Sequence, residues 1–485
     1  MKSFIFTAFL LTLTFQAAQA QVKERWDLRR CVDYAMKKNI SVRSADITAR
    51  QTEIGYKQSN LSQIPSLAYN LSHGFSFGRT LDRTSNVYVS RSAMFQQMSL
   101  QSNALLFNFN STRNQIASNK YAWEADKAAT EKAANDIGLN VAQQYLRTML
   151  SMEQVELNRV ILGQTRAQLS NTRKLVEAGS LPELNAAELE ATYTRDSASL
   201  LQSQIQVDQD MLSLKALLTV PADYPMDIET PPIEKIPVDN ILMESPEAVF
   251  AMALKSQPQI RGNGLRLISA EKALASAKGQ MYPSLSAFAQ LNTSFNSFLN
   301  SPSGFNVTGE QATGTYAKDG VNQFPVYTPV GKVVYGKNNF GQLWNGYWSQ
   351  LNDQFGQAVG LSLSVPIFNG WRAKANVERA KLNIERSNLT IESDTLRLKQ
   401  DVYGAYNLAL GNYQLYLARV KALETAQRSY DLATRRYDLG VMQTIEWLNN
   451  QTALATARIN KLIAQYNYVF AMKVLEFYKG QGVKL

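Results

Sequence analysis

Four segments of the chain alternate between apolar and small or polar positions: "LAYNLSHGFSF", "MSLQSNALLF", "LSAFAQLNTSF" and "AVGLSLSVPIF". The alternation predicts strands over about 66–79, 95–108, 284–296 and 356–368. In the first, Leu67, Tyr69, Leu71, Phe75 and Phe77 share a face opposite Ala68, Asn70, Ser72, Gly74, Ser76 and Gly78. The last sets Val359, Leu361, Leu363, Val365 and Ile367 against Ala358, Gly360, Ser362 and Ser364. Strands of about ten residues with one apolar face fit a tilted bilayer crossing, although a half-buried soluble sheet has the same alternation.

Elsewhere the period is helical. Neither proline nor a cluster of turn residues interrupts the pattern between Asn110 and Glu177 or between Gly370 and Leu439. Ala122, Ala125, Ala129 and Ala133 form a narrow small-residue seam suited to close packing. Roughly 67 helical residues make a rod of about 100 Å, far longer than a helix in a globular core. Each rod then meets a glycine, Gly179 or Gly440, beyond which helical patterning resumes. At both places glycine makes a tight or left-handed turn inexpensive, and at the first Pro182 fixes a new helix start. The glycines are the tips of two antiparallel helical hairpins, at the end away from the strands. Shorter helices are expected around 27–63 and 245–280.

The chain repeats itself. An offset of 261 superposes Gly179 on Gly440, Phe107-Asn108 on Phe368-Asn369, Val141 on Val402 and Tyr145 on Tyr406. An offset of 218 superposes Ala35 on Ala253 and Pro65-Ser66-Leu67 on Pro283-Ser284-Leu285. The second copy therefore carries 43 extra residues, placed in a long loop over about 296–356 whose aromatic content implies that it is folded, either on itself or against a partner. The expected division is a first repeat over 21–220, a proline-rich linker over 221–244 and a second repeat over 245–485.

Composition narrows the class. Residues 1–20 carry a Lys, an apolar run and Ala18-Gln19-Ala20, the pattern of a signal peptide. Beyond Gln21 no apolar run reaches 18 residues, so a membrane role would have to use strands. Four strands are too few to close a barrel, and an open edge does not face lipid, so several chains would have to share one. The net charge of +10 comes from Lys and Arg dispersed among Glu and Asp, which reads as solvated helix faces rather than a nucleic-acid surface. Cys31 and His73 are the sole residues of their types, and both read as structural. No phosphate loop, metal cluster or nucleophile and base set points to an enzyme or a cofactor.

The duplicated plan of helix, strand hairpin, long helix, glycine tip and return helix resembles the TolC family of outer-membrane efflux and export channels. The most family-like stretches are "VPIFNGWRAKANVERAKLN" and "RRYDLGVMQTIEWLNNQTALATARIN". The resemblance implies a mainly α chain with membrane β, forming a homotrimer. Twelve strands, four per chain, make one outer-membrane barrel, which continues as a long α-helical periplasmic barrel with the linker in its equatorial region. It implies passive conduction in a tripartite efflux pump, with a periplasmic membrane-fusion adaptor, an inner-membrane pump of RND or ABC type, and outer-membrane lipid as partners. A type I protein secretion conduit would use the same tunnel, and a soluble periplasmic scaffold is the remote alternative. Carried onto this chain, the periplasmic gate is Tyr437, Asp438, Gly440, Met442, Glu446 and Asn449. The adaptor-contacting tips are Gly179, Ser180, Leu181 and Pro182 with Gly440, Val441 and Met442. Family members tend to have an Arg where Met442 stands and a second acid where Asn449 stands, so a salt-bridge lock is not expected; three copies of Glu446 would instead form an acidic ring. The lipid-facing strand is Val359, Leu361, Leu363, Val365 and Ile367.

Overall fold

The computed structural model describes residues 24–82, 87–90, 92–230 and 241–480. The expected signal peptide and the middle of the expected linker lie outside them. Two compact units emerge, each drawing on both sequence repeats: one comprises residues up to Tyr56, Ala117–Ala273 and Arg379 onward, the other Lys57–Ile116 and Leu274–Glu378.

Helices dominate the first unit. Helices α1 (Leu28–Lys38) and α2 (Ile40–Leu61) recur as α5 (Pro246–Ser256) and α6 (Pro258–Gly279). The long helix α3 (Ser111–Glu177) with its return α4 (Glu183–Leu218) recurs as α8 (Arg372–Asp438) with α9 (Thr444–Tyr478). Both long helices have 67 residues. Several residues matched between the repeats pack inward: Ala35 and Ala253, and Val141 and Val402, are fully buried. Tyr145 donates its hydroxyl proton to the Glu229 carbonyl at 2.6 Å, and the equivalent Tyr406 donates to the Glu244 carbonyl at 3.1 Å. The two tyrosines thus fasten the connecting segment on either side of the repeat boundary, and burial pushes the Tyr145 pKa up.

Short ladders escape a search for long periodic segments. Strand β1 (Glu24–Trp26) pairs in parallel with β6 (Met226–Ile228), so part of the expected linker is sheet, and Ile241–Met243 is a turn of 3-10 helix. The alanine seam is also narrower than its sequence suggests. Ala125 and Ala128 are buried, and Gly262 of α6 lies so close that an added Cβ would sit 3.4 Å from the Ala128 methyl.

In the second unit, β2 (Ser66–Ser76), β5 (Ala93–Phe107), β7 (Ser284–Phe298) and β10 (Gly356–Ser364) form an antiparallel sheet in the order β10-β7-β5-β2. The β5–β7 ladder joins the two repeats, and β2 and β10 are its edges. Between β2 and β5 lies a small hairpin, β3 (Arg79–Asp82) with β4 (Val87–Ser90). The expected loop over 296–356 is largely structured: β8 (Asn300–Asp319) and β9 (Asn322–Lys337) make a long hairpin turned at Gly320 (φ 60°), followed by the short helix α7 (Tyr347–Asp353).

The last sheet strand is shorter than expected. Its ladder ends where Ser364 pairs with Ser284, because Pro366 has no N–H to donate and Pro283 precedes the partner strand. Val365 and Ile367 therefore lie past the strand, and the apolar row on β10 reduces to Val359, Leu361 and Leu363. A repeated turn leads into each long helix. Phe109-Asn110 and Gly370-Trp371, 261 positions apart, all have φ between 50 and 65°. In both, the Asn three positions before the helix offers its side-chain oxygen to a first-turn N–H, Asn108 to Thr112 and Asn369 to Ala373.

Candidate channel gate and membrane face

At the two glycine tips the chain solves one backbone problem twice. In the first, the Ser180 N–H donates to the Leu175 carbonyl at 2.8 Å and the Gly179 N–H to the Val176 carbonyl at 2.9 Å. In the second, the Val441 N–H donates to Arg436 at 3.0 Å and the Gly440 N–H to Tyr437 at 2.9 Å. Both are Schellman closures of a helix C-terminus, with glycine φ of 71 and 70°. Pro182 and Gln443 then precede the return helices in extended conformation.

Side chains distinguish the tips. Gly179, Ser180 and Pro182 are exposed and Leu181 is half-buried. Around the second tip, Leu169, Leu189, Ala433, Trp447 and Leu448 form a buried cluster, with Tyr193, Tyr430, Tyr437 and Met442 packed against it. Trp447 stacks on Tyr437 at 5.2 Å and donates its indole N–H to Thr434 Oγ1 at 3.0 Å. Met442 thus belongs to the tip core, where the family pattern has an Arg. Trp447 was missed in the sequence because its partners, Tyr430 and Tyr437, lie on the other arm of the hairpin. Asp438, Gly440, Val441, Glu446 and Asn449 are exposed, and Glu446 occupies the first turn of α9, where the helix dipole favours an acid.

The tip region also collects unsatisfied polarity. Six buried side-chain polar atoms among the described residues lack a hydrogen-bond partner, and four of them, Thr172 Oγ1, Tyr437 Oη, Thr444 Oγ1 and Gln451 Oε1, belong to residues in the tip-proximal turns of the hairpins. Above the cluster the seam between α9 and the α3–α4 pair is polar. Thr165 donates to Asp196 at 2.7 Å, Gln451 to Thr165 at 3.5 Å, and Arg195 to Thr452 at 3.4 Å, beside a cavity of about 400 Å³ lined by these three helices.

The sheet largely separates its faces, with Phe95 and Phe288 among the apolar exceptions on the polar side and Ser102 and Gln357 among the polar ones on the apolar side. Register places Leu67, Tyr69 and Leu71 of β2, Met98 and Leu100 of β5, Leu285, Ala287, Ala289 and Leu291 of β7, and Val359, Leu361 and Leu363 of β10 on one side. The other carries Asn70 and Ser72, Ser99 and Gln101, Gln290 and Asn292, and Gly360 and Ser362. An apolar face opposite a polar one is the pattern of a membrane-barrel sheet and equally of a half-buried soluble one.

Comparison with known proteins agrees with this geometry. Residues 347–481 match the outer membrane efflux protein family. The fold is that of a TolC-like outer-membrane efflux channel. Among solved structures, CusC superposes with a TM-score of 0.72 at 16% identity, over 95% of this chain and 92% of that one. VceC from Vibrio cholerae gives 0.71 at 14% identity over 94% and 97%, and CmeC from Campylobacter jejuni gives 0.69 at 15% over 94% and 86%. No curated protein sequence matches the chain. No helix among the described residues is long and apolar enough to cross a membrane.

Proposed function

We propose that three copies of this chain form an outer-membrane channel-tunnel of a Gram-negative cell, which conducts substrates delivered by a periplasmic adaptor and an inner-membrane pump. The observation that carries this reading is the sheet: four strands, apolar on one face and polar on the other, with unpaired edges at β2 and β10. An open sheet cannot lie in lipid with its edges unpaired, whereas three sheets joined edge to edge close a twelve-stranded barrel with a wet interior. The helical hairpins supply the tunnel wall and end in the glycine tips.

The tips are the proposed gate and the adaptor-docking points, with Gly179 to Pro182 on one hairpin and Gly440 to Met442 on the other. Two features support movement there. The polar atoms without partners gain them once water or another chain reaches the tips, and the polar seam between α9 and the first hairpin can part without exposing a continuous apolar surface. Exposed Glu446, threefold repeated, gives the aperture a negative ring, so Glu446→Ala lowers cation over anion selectivity in a bilayer recording. Assembly is tested by the mass of the detergent-purified protein: a complex of three chains recovered from outer-membrane fractions is expected, and a single soluble chain contradicts it.

A further inference from the structure

The residues that lengthen the second repeat do more than extend a loop. The segment from Leu343 to Leu351 packs on the apolar face of the sheet. Phe295 and Met94 join Leu343 in a buried cluster, His73 stacks on Trp344 at 5.9 Å, and Phe295 stacks on the same ring at 5.7 Å. Gln96 donates to the Tyr347 hydroxyl at 3.0 Å and Thr293 to the Leu351 carbonyl at 2.7 Å. All five sheet residues in these contacts, His73, Met94, Gln96, Thr293 and Phe295, continue the row formed by Leu71, Met98 and Leu291. Helix α7 therefore lies on the face read above as lipid-facing.

Its height on that face follows from strand geometry. Leu285 and Phe295 are ten residues apart on β7. That is about 33 Å along the strand, or about 25 Å along the normal at ordinary tilt, equal to the apolar band of an outer-membrane barrel. At the lower end of this band, beside the Phe107–Leu285 pair, Phe109 packs between Phe107 and Tyr282 at 4.9 and 4.8 Å. At the upper end stand Trp344, Tyr347 and α7. From there Trp348 and Phe340, 80% and 76% exposed, are left without cover. An amphipathic ring such as that of Trp348, at the edge of an apolar band, belongs at the boundary between headgroups and acyl chains, with the purely apolar Phe340 directed to the acyl side.

We infer that α7, with Phe340 and Trp348, is an interfacial anchor seated at the headgroup boundary of the outer leaflet. The inference rests on the outer-membrane reading proposed above. The anchor works through its rings, since Asp353 is the sole charged residue of α7. It fixes the height at which the β8–β9 hairpin leaves the sheet.

Depth measurement by spin labelling tests this. The full chain is reconstituted in liposomes after Trp348→Cys, Phe340→Cys, Leu361→Cys or Val321→Cys, each labelled in turn. Native Cys31, buried and with its thiol pushed up to about 12 chiefly by burial, stays unlabelled. Collisions with oxygen, which concentrates among acyl chains, are compared with those of a water-soluble nickel chelate. The oxygen-to-nickel ratio at 348 and 340 is expected to fall between a high value at 361 in the band and a low value at 321 on the hairpin turn. A ratio at 348 and 340 equal to that at 321, or suppressed collisions with both reagents as in a protein contact, overturns the anchor. A water-like ratio at 361 overturns the membrane-spanning sheet itself, which separates the two failures.

Discussion

The two helical hairpins share a backbone plan and differ in what joins their arms. Between α3 and α4 the join is a buried carboxylate: Asp210 accepts from Ser151 and pairs with Arg147 at 3.1 Å, while Gln144 donates to the Asp210 carbonyl at 3.0 Å. Between α8 and α9 the join is aromatic, with Trp447 against Tyr430 and Tyr437, and Tyr468 against Tyr413 and Tyr416. Hydrogen bonds to a buried charge fix one geometry, because any displacement leaves the carboxylate unsatisfied. Ring packing is non-directional and tolerates small shifts. On the channel reading proposed above, this difference would make the first hairpin the stiffer one and the second the more easily displaced.

The largest effect that sharpens this comparison is expected at Trp447. Trp447→Ala empties the centre of the second tip and costs about 3–5 kcal/mol of local stability. Hydrogen exchange should accelerate most over 430–450, and less around Leu169 and Leu189, which share the cluster with Trp447. Equal acceleration at both tips breaks the assigned division of roles. Next come the glycines. Gly179→Ala and Gly440→Ala each place a side chain at φ near 70° and cost about 1–2 kcal/mol, by the same amount at both tips because the closures are alike. Unequal losses in thermal unfolding would mean that the tips are not backbone equivalents. The smallest effect is at Tyr437→Phe. Removing a buried hydroxyl without a partner is neutral or slightly stabilising, within about 0.5 kcal/mol, while the stack on Trp447 is retained. A loss beyond 1–2 kcal/mol would assign that hydroxyl a partner in the assembled channel.

Much of this architecture was legible because duplication writes it twice. The offset of 261 placed both 67-residue helices, both glycine tips and the Tyr145 and Tyr406 anchors, each of which the structure repeats in kind. Features present in one copy alone were harder to read. The β8–β9 hairpin carries an Asp319-Gly320 turn signal, but glycines and Pro325 and Pro329 within its arms hid the strands, so the segment read as folded without a stated form. Trp447 gave no signal, since its importance comes from rings on another helix. Val365 and Ile367 kept the alternation of β10 past the point where Pro366 ends its ladder, so side-chain pattern outran hydrogen bonding. Among the gate and tip residues, Tyr437 and Met442 lie at the edge of a core rather than free at the surface.

The measurement that tests the central claim most directly is the planar-bilayer conductance of the purified wild-type protein. The account predicts discrete, small, cation-selective channels whose conductance rises in Trp447→Ala as the second tip loosens. A protein that inserts into bilayers yet gives the same conductance in the wild type and Trp447→Ala contradicts a gate at the tips, and one that never forms a channel contradicts the tunnel.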